Sequence, residues 1–221
     1  MKLIQELLIE TAAKVEPFIA SDGSKNDGVY RGTQPNLSWK VPDQYSIFRR
    51  GPRGDEDKAK SKEVLNQLKK DLDGYKRWVK DNPTPYAKEK EQTIKNCERV
   101  MAACLHLDSK MDSYNEIIGK ANKIADEKTY DDAEYAEEIG KLSGAMTKLC
   151  RELSDTSKDV NIRQGLPPFM SKFRTVAAQR LALMFKSRDN MELVAKRAKM
   201  SPKQREAAQK ASVRMKMAWG I

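Results

Sequence analysis

Between residues 58 and 81 the apolar positions Val64, Leu65, Leu68, Leu72, Tyr75 and Val79 recur at three- and four-residue spacing. That period predicts an amphipathic helix, stopped by Asn82-Pro83, because proline lacks the backbone N–H that the helix ladder needs. Thr84-Pro85 then reads as an N-cap followed by a first-turn proline, opening a helix with the stripe Ile94, Cys97, Met101, Cys104 and Leu105. Asp108 or Ser109 is placed to cap a further helix carrying Met111, Tyr114, Ile117, Ile118, Ala121 and Ile124. Tyr135, Ile139, Leu142, Met146, Leu149 and Leu153 alternate four- and three-residue steps, a heptad seam that favours antiparallel packing inside a bundle over an intermolecular coiled coil. Gly140 and Gly144 interrupt it, each costing about 1 kcal/mol relative to alanine unless a neighbour uses the space.

Two regions break this pattern. Leu3, Leu7 and Leu8 form a helical stripe ending before Pro17, and residues 21–57 then lose helical periodicity. Ser21 to Gly28 is turn chemistry, and the pattern beyond it predicts loops with short strands near 28–32 and 45–49. Gly165-Leu166-Pro167-Pro168 is the sharpest break. After it, three helices are expected: one with Phe169, Phe173, Val176, Ala177, Leu181 and Met184, one with Met191, Val194, Ala195 and Ala198, and one opened by Ser201-Pro202. The expected fold is therefore mostly α. It comprises an N-terminal helix plus irregular segment over 1–57 with little β, a helical bundle over 58–164, and a basic three-helix module over 165–221.

Charge changes the picture more than composition does. The formal charge of the 221-residue chain is +10. Residues 161–221 hold fourteen Lys and Arg against Asp189, Glu192 and Glu206, a net +11, which leaves −1 for everything before them. Such asymmetry points to an anionic partner, nucleic acid or another acidic partner. The candidate polyanion-binding residues are Arg174, Arg180, Arg188, Lys196, Arg197, Lys199, Lys203, Arg205, Lys210, Arg214 and Lys216. The dense acidic run Asp131, Asp132, Glu134, Glu137 and Glu138 is the obvious internal competitor. Apolar runs such as Leu181–Phe185 fall far short of the roughly 20 residues of a spanning helix, so no transmembrane segment is expected. Gln5, Glu6 and Glu10 break the N-terminal apolar run, so no secretory signal is expected either.

Cys97 and Cys104 with the single histidine, His106, match no trusted zinc spacing, so neither a metal nor a cofactor is expected. The cysteines read as buried thiols within helix stripes. The segment Gly28-Val29-Tyr30-Arg31-Gly32 carries a different signal. Its Tyr-Arg-Gly resembles the opening motif of the arginine-type ADP-ribosyltransferases, in which the matching arginine, here Arg31, would hold the NAD phosphates. Together with Arg49, Arg50, Pro52, Arg53 and Asp55, the stretch 26–57 is similar to a block in uncharacterised proteins of tailed bacteriophages. No Ser-Thr-Ser follows, and the literal match to the later Glu-x-Glu motif, Glu89-Lys90-Glu91, falls in a helical charge pattern. Arg31, Arg49, Arg50 and Arg53 are equally placed to form a second basic patch.

Three functional expectations follow. The first is a non-enzymatic binding or assembly protein whose basic C-terminal helices engage a polyanion without sequence readout. The second is a self-associating, virion-type structural protein, hence a homo-oligomer. The third is a relative of the ADP-ribosyltransferases. The expected location is the cytoplasm, or the virion for a phage-encoded chain.

Overall fold

The computed structural model describes residues 18–26, 53–82, 87–129, 132–162, 165–208 and 210. The fold is mostly α. The elements are β1 (Phe18–Ile19), β2 (Lys25–Asn26), α1 (Asp55–Asp81), α2 (Ala87–Glu127), α3 (Ala133–Glu152), α4 (Ser154–Val160) and α5 (Pro168–Ala198). Residues 202–208 are also helical. The N-terminal helix and the strands expected at 28–32 and 45–49 lie outside the described residues. Among the described residues, no helix is long and apolar enough to cross a membrane.

Helix α1 runs as its stripe predicts, burying Leu65, Leu68, Leu72 and Tyr75. Asp55, Glu56 and Asp57 fill its first turn, where negative charge meets the positive end of the helix dipole. Asn82 ends it: both its backbone N–H and its Nδ2 donate to the Trp78 carbonyl, at 3.0 and 2.8 Å.

Two expected breaks are absent. Helix α2 passes through Asp108-Ser109 for 41 residues. Neither residue caps a new helix: the Asp108 carboxylate is taken by Arg53 and Ser61, and Ser109 Oγ donates to the His106 carbonyl at 2.7 Å. Likewise the two helices expected over 169–198 are one, α5. No residue between Phe185 and Met191 breaks a helix, and the buried positions Leu181, Met184, Met191 and Ala198 stay in heptad register across the join.

Contacts divide the chain into two compact units: Met1–Arg49, Arg53–Ser109 and Asp155–Arg180 form one, and Arg50–Pro52, Lys110–Ser154 and Leu181–Ile221 the other. In the first, β1 and β2 pair antiparallel, with Phe18 opposite Asn26 and Ile19 opposite Lys25. The turn between them needs Gly23 at φ +75°, a conformation that a Cβ disfavours. Ser21 donates to the Asp71 carboxylate from both its N–H and its hydroxyl, at 3.2 and 2.6 Å. Lys172 Nζ donates to Asp22 at 2.6 Å, so α1 and α5 both hold the hairpin. That positions the Phe18 ring among Tyr75, Trp78 and Phe169, with centroids 5.6, 6.5 and 6.0 Å away. The remaining core is built by Cys97, Val100, Cys104, Leu107, Val160, Met170 and Phe173.

In the second unit, the heptad seam of α3 is covered by its own chain. Tyr135 and Ile139 pack with Ala121, Ile124, Val194, Ala195 and Ala198, while Met146, Leu149 and Leu153 are buried farther along. Polar pairs fix the register: Tyr114 Oη meets Ser187 Oγ at 3.0 Å, and Thr147 Oγ1 donates to Glu192 at 3.0 Å.

The helix glycines separate into two kinds. A Cβ added at Gly144 meets nothing within 4 Å, whereas at Gly74 it would lie 3.2 Å from the Phe18 ring. Gly144→Ala should therefore raise the unfolding free energy by about 0.5–1 kcal/mol, by restricting the unfolded chain. Gly74→Ala should fall short of that gain, because the ring must shift. Urea titrations of the two variants check the contrast.

Candidate functional site

The C-terminal end of α5 is set by its buried side. With Met184, Met191 and Ala198 turned inward, Lys186, Leu193 and Lys196 face solvent, and Arg197 is half-exposed. The helix closes in tight turns, Lys199 N–H donating to the Lys196 carbonyl at 3.2 Å and Met200 N–H to Arg197 at 3.1 Å. Ser201 and Gln204 then form a reciprocal capping box. Ser201 N–H donates to Gln204 Oε1 at 2.9 Å, and Gln204 N–H donates to Ser201 Oγ at 3.4 Å. Pro202 sits at the first helical position, where its missing N–H costs no bond. Lys199 and Lys203 flank this junction and are exposed.

The predicted basic residues do not form one set. Arg174 and Arg180 are only 8 % and 3 % exposed, so neither contributes to an open cationic face. Arg174 donates from Nη1 to the Val160 carbonyl at 3.4 Å, at the C-terminal end of α4, and from Nη2 to Thr175 Oγ1 at 3.3 Å. Arg180 lies seven residues after the buried Phe173 and so falls on the same side of α5. Arg188 pairs with Asp189 at 2.7 Å and lies over the Phe185 ring at 5.3 Å; its hydrogen bond to Asp189 holds its guanidinium above the ordinary arginine value. Lys210 pairs with Glu206 at 2.6 Å, and Arg205 is half-buried. Arg53 is held by Asp108, with its side chain 5 % exposed, so it presents no surface patch. Arg31, Arg49, Arg50, Arg214 and Lys216 lie outside the described residues.

What remains is Lys196, Arg197, Lys199 and Lys203, four cations within eight residues and none in an ion pair among the described residues. Lys186 shares that state and was not among the candidates; its place opposite Met184 and Met191 on α5 was the available signal.

Asp131 lies outside the described residues, and the rest of the acidic run is engaged elsewhere. Lys128 Nζ bridges Glu134 and Glu138 at 2.9 and 3.1 Å, and these bonds hold its ammonium above the ordinary lysine range. Lys141 pairs with Glu137 at 2.5 Å, holding that carboxyl below its ordinary value. Asp132 accepts from the Thr129 N–H at 2.8 Å.

Other chemistry is absorbed structurally. Burial pushes the Cys97 and Cys104 thiols up to about 12, far from the thiolate a nucleophile requires. His106 is half-buried, with Nδ1 2.7 Å from Thr156 Oγ1. In the Glu89-Lys90-Glu91 stretch, Lys90 is buried, its Nζ 4.8 Å from the Trp78 ring and 3.2 Å from the Asn82 carbonyl it donates to. Burial lowers its ammonium below the ordinary lysine value. Glu91 pairs with Lys95 at 2.7 Å on the α2 surface. Among the described residues, no group of three or more His, Cys, Asp or Glu is arranged to hold a metal ion. Compared with protein-family models, curated proteins and solved structures, the chain matches none.

Proposed function

We propose that this chain is a non-enzymatic binding or assembly protein that engages a polyanion through basic side chains near its C-terminus. The observation that supports this most directly is the group Lys196, Arg197, Lys199 and Lys203, which carries no internal ion pair among the described residues while the acidic run of α3 is tied to Lys128 and Lys141. Unquenched cations on a capped helix junction attract polyanions by releasing condensed counterions, and they need no reacting group. The α3 seam lends no support to self-association, since its apolar side chains are covered within the chain.

The test uses the full chain on immobilised heparin. Retention at low salt is expected. A variant carrying Lys196→Gln, Arg197→Gln, Lys199→Gln and Lys203→Gln should elute at markedly lower salt, with an unchanged circular dichroism spectrum. Passage of the unaltered protein without retention, or identical elution of the two, would overturn the reading.

A further inference from the structure

We propose that the polyanion met by Lys196, Arg197, Lys199 and Lys203 is double-helical nucleic acid, gripped through its phosphates without reading of bases; this rests on the polyanion reading above. Three observations carry the choice.

The first is side-chain type. Three of the four cations are lysines, compact point charges suited to phosphate oxygens. Base readout in the major groove relies on planar forks such as arginine on guanine or amides on adenine. Arg197 is the group's one fork.

The second is the lack of a stacking platform among the described residues beside the cations. Single strands are held by aromatic faces on which bases stack. Among described residues 181–210 the one aromatic is Phe185, half-buried beneath the Arg188 guanidinium.

The third is the sparseness of exposed apolar surface beside the four cations among the described residues. An acidic protein partner would need a buried hot spot, commonly an aromatic or large apolar side chain entering a pocket. The large apolar side chain exposed on α5 is Leu193, with charged neighbours along the same side. A duplex asks for neither feature. It offers one negative charge per about 1.7 Å of axis, and the capped junction holds Lys199 and Lys203 on short, hydrogen-bonded backbone to meet it.

The experiment measures binding of the full chain to a labelled mixed-sequence duplex across a salt series, beside the single strand of the same length, a second duplex of scrambled sequence, and polyglutamate. Tighter binding to both duplexes than to the single strand or polyglutamate is expected, with equal affinity for the two duplexes. The four-glutamine variant should flatten the log–log salt slope by about 3.6, the contribution of four phosphate contacts at roughly 0.9 each. Over about 50 to 200 mM salt, that is about a 150-fold difference in lost affinity. Preference for the single strand or for polyglutamate, dependence on duplex sequence, or an unchanged slope in the variant would overturn the duplex assignment. Heparin retention that still depends on the four cations would leave the broader polyanion reading standing, whereas its absence would remove both.

Discussion

Phe169→Ala is expected to lower the unfolding free energy by about 3–5 kcal/mol, the range for removing a large aromatic from a packed core. Phe169 is buried, and its ring faces two others: Phe18 at 6.0 Å and 58°, and Tyr75 at 6.1 Å and 66°. Tyr75 in turn stacks on Trp78 at 5.9 Å and 21°. Tilted and offset pairs of this kind add about 0.5–1.5 kcal/mol each beyond buried area. The hole left by alanine is hard to close, because its walls come from a hairpin, α1 and α5, each tied by bonds such as Lys172–Asp22 and Ser21–Asp71. Phe169→Leu keeps most of the volume and should cost less than half as much. Urea midpoints at constant m value decide it; a loss below about 1 kcal/mol in the alanine variant would mean that these rings do not form a packed cluster.

Asp108→Ala should cost nearly as much, about 3–5 kcal/mol, for a different reason. The Asp108 carboxylate accepts from Arg53 Nη1 at 2.5 Å and from Ser61 Oγ at 2.7 Å, and its backbone carbonyl accepts from Arg53 Nη2 at 3.1 Å. Ser61 and the Arg53 side chain are buried. Taking away the carboxylate removes a close negative charge from a buried guanidinium and the acceptor of the buried Ser61 hydroxyl, and breaking a buried pair from one side costs more than never having had it. Asp108→Asn retains an oxygen acceptor and should lose less. Adding Arg53→Met to Asp108→Ala should restore part of the loss, since the buried charge weakened by the missing carboxylate goes with the arginine. Thermal melts of the three variants test the ordering, and a double variant no better than Asp108→Ala would refute the charge explanation.

Legibility in the sequence followed a simple divide. Elements whose ends are local were readable. Helix α1 stops where Asn82-Pro83 says it should, and Ser201-Pro202 opens a helical segment with a partner, Gln204, three residues on. Elements whose continuity depends on distant residues were not. Asp108 and Ser109 look like caps, yet Asp108 is committed to Arg53, 55 residues away in the chain. The buried series Cys104, Leu107, Met111 and Tyr114 passes straight through them, and that register was the better guide. The candidate site divided in the same way. Net charge counts arginines without asking which side of a helix they occupy, so Arg174 and Arg180 entered the set although Arg174, four residues after the buried Met170, and Arg180, seven after Phe173, both fall inward. Lys196 survived because the buried Met191 and Ala198 lie on the other side of α5, and Lys199 and Lys203 because they flank the exposed junction at Ser201-Pro202. The Tyr30-Arg31-Gly32 motif lies outside the described residues.

The three buried thiols, none joined to another, carry a practical consequence. While the chain is folded, oxidants do not reach Cys97 and Cys104, and the Cys150 Sγ points at the Met184 carbonyl 3.7 Å away. Once it opens, an odd number of sulfurs can never be fully satisfied by intramolecular bridging. At least one stays ready to couple with a neighbouring molecule or to scramble a non-native link. Damage by air thus waits on exposure, and a reducing agent matters for recovering the chain from denaturant rather than for keeping it intact on the bench.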